Sequence, residues 1–246
     1  AYCFHDVTGK QKFGTYTGTG ASGNSVTTGF RPGWVMIKRT DIAEEWVVYD
    51  SSRSPFNPNQ LTLNPNRSDA EGSYSHLQVQ FDSNGFTLLS TDSWLNASGG
   101  TYIYAAFAGS YSDYITDYNT DGSIDSRVKA SDTTGFSIVS YHGTGTAGTI
   151  GHGLSSAPDM IIAKSREGGF GWSVYHSGID STNPADYNIF LHATNARSDD
   201  ASHWNDTEPT SSVFSVGTNN GTNDSRYLHI AYCWSETTGY SKFGSY

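Results

Sequence analysis

Two cysteines, two methionines and seven prolines are all that 246 residues hold of these types, and charged residues make up only 15%. Two cysteines cannot build the dense disulfide framework of a small secreted scaffold. Lysine and arginine number 14, scattered along the chain, against 24 aspartates and glutamates, for a net charge of −10. A nucleic-acid surface needs a positive stripe, so nucleic acid is excluded as a partner. No stretch approaches the roughly 20 apolar residues of a membrane span, and no signal peptide precedes Ala1. The Ala/Leu/Glu/Lys runs that build helices are also missing.

What the chain has is glycine, 27 residues, and aromatics, 14%. This composition reads as an all-β, extracellular type of protein. Short apolar or alternating segments between Gly, Asn, Asp and Ser breaks predict strands at 34–38, 46–49, 77–81, 85–89, 102–107, 136–141, 160–164, 172–175, 213–216 and 227–234. Ser83-Asn84-Gly85 predicts a tight hairpin, with Asn-Gly supplying the positive φ that such a turn accepts.

The chain ends as it begins. Residues 231–246 rewrite residues 1–16 with nine identities and no gap, so the sequence holds one 230-residue period and an overlap into the next. A chain that starts inside such a repeat reads as having lost its true N-terminus. Inside the period lies a weaker repeat. Phe13, Tyr16, Gly18-Thr19-Gly20, Pro32, Lys38, Trp46 and Tyr49 match Phe136, Tyr141, Gly143-Thr144-Gly145, Pro158, Lys164, Trp172 and Tyr175. The expected organisation is the last strand of a preceding repeat plus a connector at 1–12, β-sandwich module A at 13–108, a linker at 109–135, β-sandwich module B at 136–234, and the start of the next repeat at 235–246. Ala1, Tyr2, Cys3, Phe4, Phe13, Tyr16, Ala231, Tyr232, Cys233, Trp234, Phe243 and Tyr246 mark the repeat junction and its assembly contacts. Cys3 and Cys233 then occupy the same buried position one period apart and are not bonded to each other; the rival arrangement is a closed monomer in which they pair.

Asp117-Tyr-Asn119-Thr-Asp121-Gly122-Ser123-Ile-Asp125 has oxygen side chains at positions 1, 3, 5 and 9, glycine at 6, and Ser123 at 7, from which a backbone carbonyl is expected. A short loop wraps Ca²⁺ with such spacing, although Val128 stands where an EF-hand has its bidentate carboxylate. Asp113 and Asp132 are nearby candidates for the missing ligand, and a Ca²⁺-clamped linker is the expectation, against a plain polar turn. Two stretches, 18–23 and 143–148, match G-x-G-x-x-G but neither opens a helix, so they read as strand-connecting turns and not as a dinucleotide site. The histidines of module B follow no metal-ligand spacing, and no G-x-S-x-G elbow is present. Adjacent carboxylates, Glu44-Glu45 and Asp199-Asp200, suit solvated turns better than a shared acid-base pair. The chain is therefore not expected to be an enzyme; a glycan-degrading activity would need two facing carboxylates in a cleft. Trp46, Trp172, Trp34 and Trp234 read as core residues, while Trp94 and Trp204 lie in polar stretches and are the glycan-stacking candidates. Sequons at Asn66, Asn96, Asn205, Asn220 and Asn223 are as numerous as chance would place among 15 asparagines in a chain rich in Ser and Thr.

The run from Gly29 to Arg39, with Trp46-Val-Val-Tyr49-Asp50-Ser51, Asn84-Gly85-Phe86-Thr87-Leu88 and Gly100 to Phe107, resembles repeat modules in large tail-fibre-like structural proteins of environmental bacteriophages. Pro158 to Lys164 and Tyr227 to Trp234 resemble the same module again. The resemblance implies two tandem concanavalin A-like jelly-roll sandwiches, a structural or adhesive role at an extracellular or virion surface, and no catalytic residues. The resulting expectation is a repeat unit of a self-assembling filament, stacked head to tail with further copies of itself as a homopolymer; the alternative is a glycan-binding adhesin.

Overall fold

Valine, isoleucine, tyrosine and phenylalanine alternate with polar residues in segments of four to eight residues, so each segment has one face to bury and pairs into a sheet. The computed structural model describes residues 4–109 and 117–245. The chain divides into two compact units, Ala1–Asn66 with Glu71–Tyr114, and Arg67–Ala70 with Ile115–Tyr246.

In the first unit the strands are β1 (Gln11–Thr17), β2 (Asn24–Thr27), β3 (Pro32–Arg39), β4 (Trp46–Asp50), β5 (Leu61–Thr62), β6 (Gly72–Ser73), β7 (Val79–Asp82), β8 (Gly85–Leu88) and β9 (Thr101–Ala108). They form antiparallel sheets in the orders β1-β9-β3-β4, β2-β8-β7 and β5-β6. Val35, Ile37, Val47, Tyr49, Tyr102 and Ala106 of the first sheet meet Val26, Val79, Phe81, Phe86 and Leu88 of the second in one buried cluster. Fully burying side chains of this size contributes about 1.5–3 kcal/mol each, which fixes the register, because a one-residue slip would turn every one of them to water. Arg53 is fully buried and serves as a polar staple: Nε meets Asp50 Oδ2 at 2.5 Å, and Nη1 meets Glu71 Oε2 at 2.9 Å. Its Nη2 donates to the Val48 carbonyl at 2.9 Å.

The second unit contains β10 (Asp117–Asn119), β11 (Ser126–Ser131), β12 (Phe136–His142), β13 (Gly148–Gly151), β14 (Met160–Ser165), β15 (Ser173–His176), β16 (Tyr187–Phe190), β17 (Ser198–Asp199), β18 (Val213–Val216) and β19 (Leu228–Trp234). Two single-turn helices, α1 (Ala201–Trp204) and α2 (Asn220–Asn223), were not foreseen from composition; Asp200 and Asn219 cap them, each accepting from the backbone N–H two residues on. The main sheet has the order β10-β11-β12-β19-β14-β15-β16-β17, and β13 pairs with β18. Val128, Val139, Tyr141, Ile161, Ala163, Tyr175 and Cys233 pack there against Ile150, Phe214 and Val216.

The order β12-β19-β14-β15 repeats β1-β9-β3-β4, and β13-β18 repeats β2-β8. The registers repeat as well: Val35 faces Ala106 as Ile161 faces Cys233, and Tyr16 faces Tyr102 as Tyr141 faces His229. This register corrects one sequence match. Phe13 faces Ala105, and the corresponding residue facing Tyr232 is Ile138; Phe136 stands where the first unit has Gln11. Of the expected linker at 109–135, residues 110–116 lie outside the described residues; the rest is corrected, because β10 and β11 extend the main sheet of the second unit, Ser126–Ser131 pairing along β12 from Tyr141 to Phe136. The hairpin at 83–85 forms, but Asp82 faces Gly85, so Ser83 and Asn84 are its central residues. Neither has positive φ, and the Asn-Gly logic does not apply.

Candidate functional site

Each G-x-G stretch is held by one buried asparagine. Asn96 Oδ1 accepts from the Thr19 N–H at 2.8 Å, and its Nδ2 donates to the carbonyls of Ala21 at 2.8 Å and Ser90 at 2.9 Å. Asn223 does the same 127 residues later: Oδ1 accepts from Thr144 N–H at 2.8 Å, and Nδ2 donates to Thr146 and Gly217, both at 2.7 Å. The Gly20 N–H donates to Asn96 O and the Gly145 N–H to Asn223 O, both at 2.8 Å. Glycine is required at Gly18 and Gly143, where a Cβ would stand 2.1 Å from the Ala97 carbonyl oxygen and 2.3 Å from that of Asp224. Tyr16 and Tyr141 complete the arrangement, donating at 2.7 Å to the Leu95 and Thr222 carbonyls and stacking on Tyr102 and His229. The stretches are strand-connecting turns, as their context indicated.

A second repeated feature is the connector ahead of β1. Lys10 and Gln11 N–H both donate to the Val7 carbonyl at 3.0 Å around Gly9, whose φ is +72°. In the same way Tyr240 and Ser241 N–H donate to the Thr237 carbonyl at 2.9 Å around Gly239, with φ +74°. Asp6 pairs with Lys12 and accepts from Phe13 N–H at 2.8 Å. Glu236 pairs with Lys242 at 2.8 Å. Both carboxylates are held below the ordinary range by the lysine first and then by a backbone N–H, of Phe13 in one case and Phe243 in the other. In the first copy Val7 and Asp6 take outward amides of β1 at Gln11 and Phe13, which blunts the edge of the sheet. Of the junction residues, Phe4 stacks on Phe13 at 5.4 Å and meets Phe107 edge-on at 5.7 Å, while Phe243 meets His176 at 6.2 Å. Ala231, Tyr232, Cys233 and Trp234 are buried in β19. Cys233 is a free thiol, and burial pushes its pKa up, so it behaves as a small apolar residue. Ala1, Tyr2, Cys3 and Tyr246 lie outside the described residues.

The Asp/Asn/Gly segment forms the β10–β11 hairpin and docks on β13. Ser123 Oγ accepts from Thr149 N–H at 3.0 Å, and the Ile124 N–H donates to the Thr149 carbonyl at 2.9 Å. A Cβ on Gly122 would lie 2.3 Å from that carbonyl oxygen. Asn119 Oδ1 accepts from Asp121 N–H at 3.0 Å, Asp121 Oδ2 accepts from Asn119 Nδ2 at 3.0 Å, and Asp125 Oδ2 accepts from the Tyr118 hydroxyl at 2.9 Å. Asp132 caps another turn, accepting from Ser155 N–H at 2.8 Å. Asp113 and the side chain of Asp117 lie outside the described residues. Among the described residues no three carboxylate, imidazole or thiol groups gather closely enough to hold a metal ion.

Trp204 is only 2% exposed and packs edge-on to Tyr175 in the second core, so it offers no sugar platform; the single-turn helix α1 rolls it inward from a polar stretch. Trp94 is half-buried against the first core. Asn96 and Asn223, both 0% exposed, are removed as glycan acceptors, since their amide nitrogens already donate to two carbonyls each. Asn66, Asn205 and Asn220 are exposed. Glu44 accepts from Ser93 Oγ and Glu45 from Asn66, so this acidic pair ties down loops. His229 is buried, and desolvation lowers its pKa to about 4; burial likewise lowers His152 and His203.

Two units of antiparallel strands, with loops and connectors fixed by local hydrogen bonds, define an all-β protein. No helix among the described residues is long and apolar enough to cross a membrane. The chain belongs to the family described as "Domain of unknown function (DUF7483)", which matches residues 1–110 and 114–246. No curated protein and no solved structure matches it.

Proposed function

We propose that the chain is a structural repeat unit of an extracellular filament or phage tail-fibre-like assembly, its copies following one another head to tail. The observation that carries this reading is the connector, which closes with the same two hydrogen bonds, to the Val7 carbonyl at 7–11 and to the Thr237 carbonyl at 237–241, around the same positive-φ glycine. In this reading the two units are tandem copies of one concanavalin A-like jelly-roll module, supported by their common strand order and by the asparagine clamp found in both. The acidic net charge of −10 keeps neighbouring fibres apart. Electron microscopy of the native material tests it: helical averaging is expected to give an axial repeat set by one 230-residue period, and discrete globular particles would sink the reading.

A second reading, a glycan-binding adhesin, draws on a surface patch of the first unit. Tyr74 is 43% exposed with its ring 5.6 Å from that of His76, His76 Nε2 is 3.9 Å from Asp92, and Asp92 accepts from the backbone N–H of Trp94, whose side chain is half-buried. Aromatic faces beside a carboxylate and an imidazole suit a sugar. Glycan-array binding abolished by Tyr74→Ala or Trp94→Ala would move this reading to first place.

A further inference from the structure

The two units differ in polarity at one buried place. In the first, Val47, Thr62 and Leu77 fill it, all at most 2% exposed, and Thr62 Oγ1 donates to the Gly72 carbonyl at 3.5 Å. The registers put Ser173 where Val47 stands and Asn188 where Thr62 stands: Ala163 faces Ser173 as Ile37 faces Val47, and Asn188 faces Ser198 as Thr62 faces Gly72. Trp204 takes the place of Leu77, because the His203 carbonyl accepts from Gly217 N–H as the His76 carbonyl accepts from Ser90 Oγ.

The polar replacements and the adjoining His203 are buried, and polar atoms of each make no hydrogen bond. Ser173 Oγ, both ends of the Asn188 amide, Trp204 Nε1 and His203 Nδ1 have no hydrogen bond among the described residues, and the four residues are at most 3% exposed. His203 Nδ1 lies 3.2 Å from Asp200 Oδ2 but outside hydrogen-bond geometry. β15, β16 and α1 bring the four into one neighbourhood. Ser173 faces Phe190 across β15 and β16, Asn188 is two residues from Phe190 on the same face, and α1 packs on β16. The His203 ring is 5.7 Å from the Phe190 ring, and the Trp204 ring is 6.1 Å from that of Tyr175, two residues from Ser173.

Buried amides, hydroxyls and indole N–H groups in folded proteins are paired with protein or with ordered water. Asn188 alone offers two donors and two lone-pair directions, and a site with several convergent polar partners is what a buried water needs, where an apolar cavity stays dry. We propose that Ser173, Asn188, His203 and Trp204 line an internal water-binding site beneath α1, one that the first unit lacks. The bound water bridges sheet and helix, supplying Trp204 Nε1–H with an acceptor and the Asn188 amide with both kinds of partner. This inference is independent of the filament reading.

Water-selective NOE and ROE spectra of the ¹⁵N-labelled full chain test it. Expected are cross-peaks of negative-NOE sign, diagnostic of long-lived water, at the Trp204 indole N–H and the Asn188 Nδ2 protons, the indole being assigned by its loss in Trp204→Phe. Asn188→Thr, and separately Ser173→Val with Asn188→Thr, install the residues of the first unit and are expected to abolish the indole cross-peak while circular dichroism stays unchanged. Absence of the cross-peaks in the unsubstituted chain overturns the proposal, whether or not either variant folds. Cross-peaks that persist in folded variants also overturn it, because they place the water elsewhere.

Discussion

Asn223 accepts from Thr144 and donates to Thr146 and Gly217 with no exposed surface. Removing a side chain that satisfies three buried backbone groups leaves each without its partner, at about 1–3 kcal/mol apiece. Asn223→Ala is therefore expected to destabilise the protein by roughly 3 kcal/mol or more in urea unfolding; a change within 0.5 kcal/mol would show that water replaces the clamp. In a glycosylating host, mass spectrometry is expected to find Asn96 and Asn223 unmodified, whatever the occupancy at exposed Asn205. His229 supplies the pH dependence. Its folded pKa is depressed to about 4 from 6.5, mainly by burial, so the unfolded chain binds the proton first as pH falls. Its contribution is complete above pH 6.5 and is lost as pH drops to about 4, amounting to roughly 3 kcal/mol. His152 and His203, also depressed by burial, act in the same direction. Melting temperature is expected to fall steadily between pH 6.5 and 4, and to fall less in His229→Gln; a flat profile in that window would contradict the burial of these rings.

At the scale of elements, the hairpin from β10 to β11 binds its own backbone and that of β13 through Ser123, Ile124 and Gly122. Millimolar Ca²⁺ after chelation tests the expected clamp: a site that binds the folded state at a hundred times its Kd adds about 2.7 kcal/mol and several degrees to the melting temperature, and a change within about 1 °C would exclude it. Gly122→Ala is expected to be the damaging change, since its Cβ would meet the Thr149 carbonyl. Much of this level was readable in advance. The strands at 34–38, 85–89 and 213–216 emerge almost at their predicted bounds because alternation or an unbroken apolar run marks them. β5, β6, β16 and β17 were not visible: two to four residues carry too little pattern, and pairing alone creates them.

At the scale of the molecule, the connector forms at 237–241 from bonds within a few residues, so its shape is built into its own sequence. A polypeptide of two periods is expected to convert residues 242–246 into the first strand of the following unit, as 12–16 form β1 here. Hydrogen exchange at those amides would then slow relative to the single period, and unchanged exchange would argue against a continuous array.

Composition, by itself, determined the all-β class, because strand formation depends on side-chain chemistry that recurs along the chain, and the 230-residue offset between 1–16 and 231–246 is legible in the sequence alone. Which polar residues are buried was decided only in three dimensions. Trp204 and Asn223 sit in stretches as polar as those of Trp94 and Asn205, yet two single-turn helices roll them into the second core. So short a helix leaves no periodicity to read, and burial follows from packing partners more than 25 residues away, Tyr175 for Trp204 and Thr144 for Asn223. The covering of β12 by β11 was likewise settled by register, since nothing in Ser126–Ser131 distinguishes a sheet strand from a linker until Tyr141 and Val139 present an edge to pair with.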